Sequence, residues 1–488
     1  MSLVGEAAID DGQLRSQVRS AVIWRSGTQI VSQLIAWGST FLVLRLLPLS
    51  DYGLFAMTST VLVLLGLLNG YGFANAAIQD KEFSEQRLRQ LFGILILVNG
   101  ALALIQLLLA PVVASYYGEP RVADMLRVQC LLYLANPFLA MGYAVLSRKM
   151  DFRHQAQVNM GSALLGAATA LAGALSGWGV WTLVAAPLVT FLSRAIGMTF
   201  AARAWIKPSF DFRGARYLAD YGGIVMGGQI FWFLQTQADI VIAGRALGVE
   251  ELGLYTVALF LAQIFVTKVV PPLNEVAFST YARIQHDLDA VSAGFLKSVR
   301  VVMLLAMPFC LGMAATADPL VRTMLGEDKA IAAPVVALLA MAMPFMTLHV
   351  LFAPATNARG RPGISTRASI LGTVLMPLAY LAGVQYGVIG LAAAWLVSYP
   401  ILTAISAAWS LPVIGVKAGE LIAALRAPVL AGIAMALGVV LLDRTLPELP
   451  QVLRLTALVT TGAAIYGGWL LVFARERLKE VIGLLLKR

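Results

Sequence analysis

The sequence predicts an all-α polytopic membrane protein of fourteen transmembrane helices, arranged as two parallel six-helix lobes and two C-terminal helices. Three observations carry this expectation: the composition, the length of the apolar runs and an internal repeat. Hydrophobic residues make up 59% of the 488 and charged residues only 13%, against roughly 25% charged in an average soluble domain. Mean hydropathy is +0.80. So little charge cannot clothe a water-soluble surface. The apolar runs are continuous and span-length, about twenty residues, whereas the strands of a membrane barrel would alternate. Helices and closed barrels are the structures that satisfy the backbone in hydrocarbon, and this pattern selects helices.

Breaks at charge, Pro and Gly give fourteen spans: 21–47, 54–78, 90–115, 125–147, 156–175, 179–202, 217–244, 253–279, 298–316, 331–354, 364–383, 387–410, 424–442 and 453–473. The first run is longer than the apolar core of a signal peptide and no A-x-A follows it, so it reads as an uncleaved span. Cys130 and Cys310 both fall inside apolar runs, and no disulfide framework is implied. The connectors are too short to fold as soluble domains.

Lys and Arg set the orientation. Twenty-six lie on the side of the N-terminus and eight on the opposite side, with Arg194 and Lys268 inside spans. The excess recurs in every alternate loop, so the positive-inside rule places both termini in the cytoplasm. The net charge of +10 therefore records membrane topology and attraction to anionic phospholipid; nucleic acid is not an expected partner.

Residues 21–55 and 221–255 align without a gap. Gly27, Gln29, Ile30, Arg45, Leu47, Gly53 and Leu54 recur as Gly227, Gln229, Ile230, Arg245, Leu247, Gly253 and Leu254. Asp51 becomes Glu251 and Phe55 becomes Tyr255. An even number of spans separates the copies, which makes them parallel repeats about an axis along the membrane normal. The expected organisation is an N-terminal lobe over 1–212, a C-terminal lobe over 213–416, and two extra helices with a cytoplasmic tail over 417–488. In proteins built this way the substrate sits between the lobes, and rocking them alternates access.

Four segments carry a resemblance: Leu47-Pro-Leu-Ser-Asp-Tyr-Gly-Leu-Phe-Ala56, Leu146-Ser-Arg-Lys-Met-Asp-Phe-Arg153, Val276-Ala-Phe-Ser-Thr-Tyr-Ala-Arg-Ile-Gln285 and Asn357-Ala-Arg-Gly-Arg361. Their order, with spans grouped in six, six and two, resembles the MOP superfamily, and within it the exopolysaccharide-exporting branch of the Wzx-type polysaccharide flippases. The resemblance covers essentially the whole chain. It implies a V-shaped transporter in a bacterial inner membrane that moves an undecaprenyl-pyrophosphate-linked oligosaccharide from the cytoplasmic to the outer leaflet. Polysaccharide polymerase and export machinery are the further partners it suggests. Such a head group cannot cross about 30 Å of hydrocarbon unaided, since burying its charge costs tens of kcal/mol. The protein need supply only a hydrated, cationic path for the head while the lipid tail stays in the bilayer.

Candidate residues for that path follow from helical spacing. Arg25, Gln29, Ser32, Gln33 and Ala36 fall within one sector of the first helix. Its repeat copy presents Gln229, Thr236 and Asp239. Arg25 offers a forked donor suited to phosphate, or it snorkels to the cytoplasmic head groups. The glutamines suit sugar hydroxyls or hydrogen bonds between helices. Span 8 carries Lys268, Pro271, Pro272, Asn274 and Glu275, so a kink is expected there. Lys268 and Glu275 share a face, either as a static ion pair or as a base that attracts pyrophosphate and an acid that releases it. Asp239 has two readings: a structural partner for Arg25 or Lys268, or a site for a coupling proton or sodium ion. Arg194 either lines the cavity or snorkels. His349 is a core group or a proton relay. The expected substrate-binding set is thus Arg25, Gln29, Gln33, Arg194, Gln229 and Lys268, with Asp239 and Glu275 for ion coupling or gating.

No phosphate-binding loop of the G-x-x-x-x-G-K-[ST] kind occurs, and neither a cofactor nor a metal is called for. A membrane glycosyltransferase or polymerase would need its chemistry on a sizeable outer loop, and the longest, around Asp318 to Lys329, is short; an enzyme is not expected. The alternative on the same scaffold is a MATE-like exporter of cationic drugs, which would need an acidic cavity.

Overall fold

The computed structural model describes residues 32–33, 35–69, 85–149, 151–203, 205–211, 231, 233–473 and 475. Among these residues the chain is helical, with no strand. Eleven helical stretches are long and apolar enough to cross a membrane. One of them, Pro362–Ile414, holds two helices joined by a 3-10 turn at Val384–Tyr386, and Ile35–Leu46 adds a shorter apolar helix. Parts of the expected spans 21–47, 54–78 and 217–244 lie outside the described residues, so eleven counts the described residues alone.

The chain divides into two compact units, Met1–Phe233 and Leu234–Arg488. Unit 1 contains α1 (Ile35–Leu46), α2 (Leu49–Gly66), α3 (Glu85–Tyr117), α4 (Arg121–Gln129), α5 (Leu131–Arg148), α6 (Phe152–Leu175) and α7 (Val180–Ala202). α7 packs along both α5 and α6, and α3 leans on α5. Apolar side chains make most of these contacts, with Leu91, Phe92 and Leu95 of α3 against Ala140 and Met141 of α5. A buried amide knot adds direction: Asn136 Nδ2 donates to Asn99 Oδ1 at 3.0 Å and to the Asn69 carbonyl at 3.2 Å. α6 starts where Asp151 caps it, one carboxylate oxygen accepting from the His154 backbone N–H and the other lying 2.6 Å from His154 Nδ1, a side-chain cap of the usual helix N-terminal kind.

Unit 2 begins one residue into α8 (233–246) and continues through α9 (Val249–Lys268), α10 (Val270–Arg283), α11 (Leu288–Ala315), α12 (Ala317–Leu325), α13 (Ala333–Val350), α14 (Phe352–Ala358), α15 (Pro362–Gly383), α16 (Gly387–Ile414), α17 (Ala418–Thr445) and α18 (Gln451–Phe473). The expected kink in span 8 falls at Val269, the one residue between α9 and α10. Pro271 and Pro272 supply no N–H, so the ladder cannot pass from Thr267 and Lys268 into the next turn. The two C-terminal helices belong to this unit: α17 lies along α11 and α18 along α17. Tyr466 of α18 donates to the Leu304 carbonyl of α11 at 2.8 Å. Arg454 chelates Asp443 at 2.7 and 2.8 Å and reaches Asp318 at 3.2 Å.

Candidate functional site

Inside unit 1, α1, α5, α6 and α7 leave a cavity of about 540 Å³. Ser32, Gln33, Ser39 and Thr40 enter it from the first helix, Tyr143 from α5, Gln155 and Asn159 from α6, and Thr190 and Arg194 from α7. α6 makes the room. Its wall residues Ala156, Ala163, Gly166, Ala167 and Ala170 are small, so the facing helices surround a void rather than a plug. Arg194 is the one residue of full charge in this lining, and no Asp or Glu is among it. Gln155 is oriented by a 2.9 Å bond from Nε2 to Ser147 Oγ. The Ser32 hydroxyl is buried with no partner among the described residues. Buried polar groups demand hydrogen bonds, and a membrane cavity that exposes amides, hydroxyls and a guanidinium meets that demand with water or a polar ligand.

Two of the expected site residues, Gln33 and Arg194, therefore meet in one cavity. The stripe read from the first helix is partly there, in Ser32, Gln33 and Ala36. Arg25, Gln29 and Gln229 lie outside the described residues. Lys268 and Glu275 are exposed on unit 2, and among the described residues they form no ion pair with each other. Asp239 is buried, and its partner is neither Lys268 nor another base: Tyr255 Oη donates to Asp239 Oδ2 at 2.7 Å. This hydroxyl has no counterpart in the first repeat, where Phe55 stands.

Tyr143, Gln155, Asn159 and Thr190 were not among the expected residues. The signal for two of them was present: Phe152, Gln155, Asn159, Ala163, Gly166 and Ala170 recur at helical spacing, one stripe down α6. It is faint because small residues fill most of its positions.

The repeat also reaches further than residues 21–55. Gly179, Val180, Leu183, Ala185, Ala186, Leu188 and Val189 recur 208 residues on as Gly387, Val388, Leu391, Ala393, Ala394, Leu396 and Val397. Both glycines sit at positive φ, 55° and 69°, the left-handed region that turns the chain into α7 and α16. In this register the cavity residues Pro187 and Arg194 become Trp395 and Leu402, and at the earlier offset Gln33 becomes Phe233. Trp395, Leu402 and Phe233 are all buried. The space that is open in one repeat is packed in the other.

Comparison with known proteins gives the same fold. The succinoglycan biosynthesis transport protein ExoT of Rhizobium meliloti is 27% identical over 93% of this chain and 94% of its own length. The lipopolysaccharide biosynthesis protein WzxC of Escherichia coli is 22% identical over 80% of each chain. The solved lipid II flippase MurJ, in an inward closed conformation, matches 93% of this chain and 100% of its own with a TM-score of 0.74 at 13% identity, a likeness of fold. The sequence pattern of one family runs from residue 42 to residue 334, through the helices that wall the cavity and into the second repeat, and the chain is therefore a member of the polysaccharide biosynthesis protein family.

Proposed function

We propose that this protein is a flippase, moving a polyprenyl-pyrophosphate-linked oligosaccharide from the cytoplasmic to the outer leaflet of a bacterial inner membrane by alternating access. The observation that carries the reading is the unit 1 cavity, with Arg194 as its single charge beside Gln33, Gln155 and Asn159. A guanidinium binds phosphate or carboxylate oxygens in a forked geometry, and amides match sugar hydroxyls. The names of the relatives point the same way: ExoT is a succinoglycan biosynthesis transport protein and MurJ a lipid II flippase.

In this reading the lobes are 1–212 and 213–416, with 417–488 appended and both termini cytoplasmic. Arg25, Gln29, Gln33, Arg194, Gln229 and Lys268 form the head-group path, and Asp239 and Glu275 serve coupling or gating. Lys268 and Glu275 are charged and exposed on a membrane-spanning segment, and charge at that depth faces water or a partner rather than acyl chains. An anionic head moving outward gains about 2.3 kcal/mol per charge per 100 mV of inside-negative potential, a drive that needs no nucleotide.

Deletion of the gene tests the reading. A lipid-linked saccharide is expected to build up on the cytoplasmic leaflet, and Arg194→Gln is expected to reproduce the build-up while the chain still inserts. Export at the normal rate from both strains would refute it. The drug-exporter alternative requires acid in the cavity, and the lining has none; its mark would be altered susceptibility to cationic drugs after deletion.

A further inference from the structure

One membrane span of unit 1 breaks where no residue of its own forces it to. Arg121–Arg148 is a single stretch long and apolar enough to cross a membrane. Yet α4 ends at Gln129 and α5 starts at Leu131, with Cys130 between them. Residues 126–134 contain neither Pro nor Gly. Helices without these residues bend where a side chain or a water enters the ladder, and here a side chain does. Gln106 of α3 donates from Nε2 to the Leu126 carbonyl at 2.7 Å. The same carbonyl accepts from the Cys130 N–H at 3.1 Å, and Cys130 Sγ donates to the Arg127 carbonyl at 2.8 Å.

The break gathers polar atoms that the protein does not satisfy. Gln129 donates from Nε2 to Thr58 Oγ1 of α2 at 3.3 Å, and Thr58 spends its own hydrogen on the Phe55 carbonyl at 2.9 Å. Both amides are therefore fixed with nitrogen towards an acceptor and oxygen turned away. Gln106 Oε1, Gln129 Oε1 and Tyr133 Oη are buried with no hydrogen-bond partner among the described residues. Their residues are 0%, 2% and 5% exposed. Gln129 and Tyr133 are four apart and share a face, and the Gln106 amide is held at Leu126, one turn before the break. Burying such atoms unmet is costly.

Unit 2 turns at the corresponding place without amides. Its α12, nine residues long as α4 is, ends at a fully buried Leu325 where α4 ends at Gln129. The chain then swings through Gly326, with φ of 112°, and a 3-10 helix at Glu327–Ala332 before α13 begins. A leucine thus serves the fold at that position, and the polar groups of unit 1 answer to something other than packing.

We propose that the break between α4 and α5 is a hydration site that holds one water. The water donates its hydrogens to Gln106 Oε1 and Gln129 Oε1 and accepts from Tyr133 Oη, which makes three bonds, the usual number for a buried water. Two amide oxygens and a phenol are too few ligands for a hard metal cation, and carbonyl oxygens repel an anion. Water also reorients where an amide cannot, so α4 can tilt on α5 with the polar groups at the break still satisfied. The site lies wholly in unit 1 and does not depend on the flippase reading.

Hydroxyl-radical footprinting of the full chain in lipid nanodiscs tests it. X-ray pulses split water into radicals that oxidise the side chains beside which they form, so a buried side chain is marked where water touches it. Tyr133 is expected to be oxidised several-fold faster than Tyr281 and Tyr466, which are similarly buried but whose hydroxyls donate to Ser298 and to the Leu304 carbonyl. Cys130 is expected to outpace the buried Cys310 in the same way. Gln129→Met and Gln106→Met keep the size of the side chain and each remove one acceptor, so each is expected to bring Tyr133 down to the rate of Tyr466. Oxidation of Tyr133 in the parent no faster than that of Tyr281 and Tyr466 would overturn the site. So would a fast rate that both variants leave unchanged. Should Gln129→Met fail to fold, Gln106→Met decides, and should both fail, the parental rates decide.

Discussion

Arg359 donates from its guanidinium to the backbone carbonyl of Gln285, and that bond turns two of the segments behind the family resemblance into one joint. Gln285 ends the segment that begins at Val276, and Arg359 sits in Asn357–Arg361. The joint is reinforced nearby, where Asn274 Nδ2 donates to the Val350 carbonyl at 3.1 Å and Ser365 Oγ reaches Asn357 Oδ1 at 3.1 Å. These segments close the ends of α10 and α14, where backbone carbonyls would otherwise go unmet. Arg359→Ala is expected to cost about 1.5–3 kcal/mol, the range for a hydrogen bond from a charged group. A lower melting temperature of the purified protein in nanodiscs would show it, and Arg359→Lys should recover only part because a compact ammonium lacks the fork.

The amide knot of unit 1 makes a different prediction. Asn136→Leu strands Asn99 Oδ1 in a buried site, and leaving a buried polar atom unmet costs about 1–3 kcal/mol. The pair Asn99→Leu and Asn136→Leu removes donor and acceptor together. Its combined cost is expected to fall below the sum of the single changes, and a double-mutant cycle on melting temperatures measures the difference. Strict additivity would mean that the 3.0 Å bond between them contributes nothing.

Much of this fold was readable from the chain because the physics is one-dimensional: apolar runs of span length become helices, and Pro271–Pro272 breaks the ladder where a helix cannot donate. The buried amides were harder. Asn99, Gln106, Gln129 and Asn136 lie within long apolar or mixed helices, and periodicity says nothing about which of them meet. The cavity was legible only from the first helix and Arg194. Its α6 wall is built from alanines and glycine, residues whose contribution is the space they leave, and that space exists only once three other helices surround it. Asp239 stood out by type, yet its partner Tyr255 did not, since a tyrosine in an apolar run looks like core until its hydroxyl finds an acceptor.

Lys268 and Glu275 invite the opposite experiment from the amide knot. Neither side chain bonds another described residue, so Lys268→Ala and Glu275→Ala are expected to change stability by no more than about 0.5 kcal/mol. With Lys268 on the head-group path and Glu275 in coupling or gating, polysaccharide export nonetheless falls, and more steeply for Lys268→Ala because an anionic head loses a base. Export at the parental rate, with unaltered melting, would leave both as bystanders on the face of α9 and α10.

The cavity itself can be filled. Ala163 and Ala167 line its α6 wall, and changing either to Leu adds methylene and methyl groups where the volume of about 540 Å³ gives them room. A residue that fills a void in place gains roughly 0.8 kcal/mol per buried CH₂, less whatever hydration it displaces. Ala163→Leu and Ala167→Leu are therefore expected to leave the melting temperature unchanged or higher. Overpacking of a tight core would instead cost about 1–3 kcal/mol, so the sign of the shift separates filling a cavity from crowding a packed wall. Export is expected to drop at least tenfold in the same variants, because the amides of Gln155 and Asn159 and the guanidinium of Arg194 would face leucine. A variant that melts higher yet exports normally would place the saccharide path elsewhere in the protein, and one that melts lower would show α6 and α7 to be already in full contact.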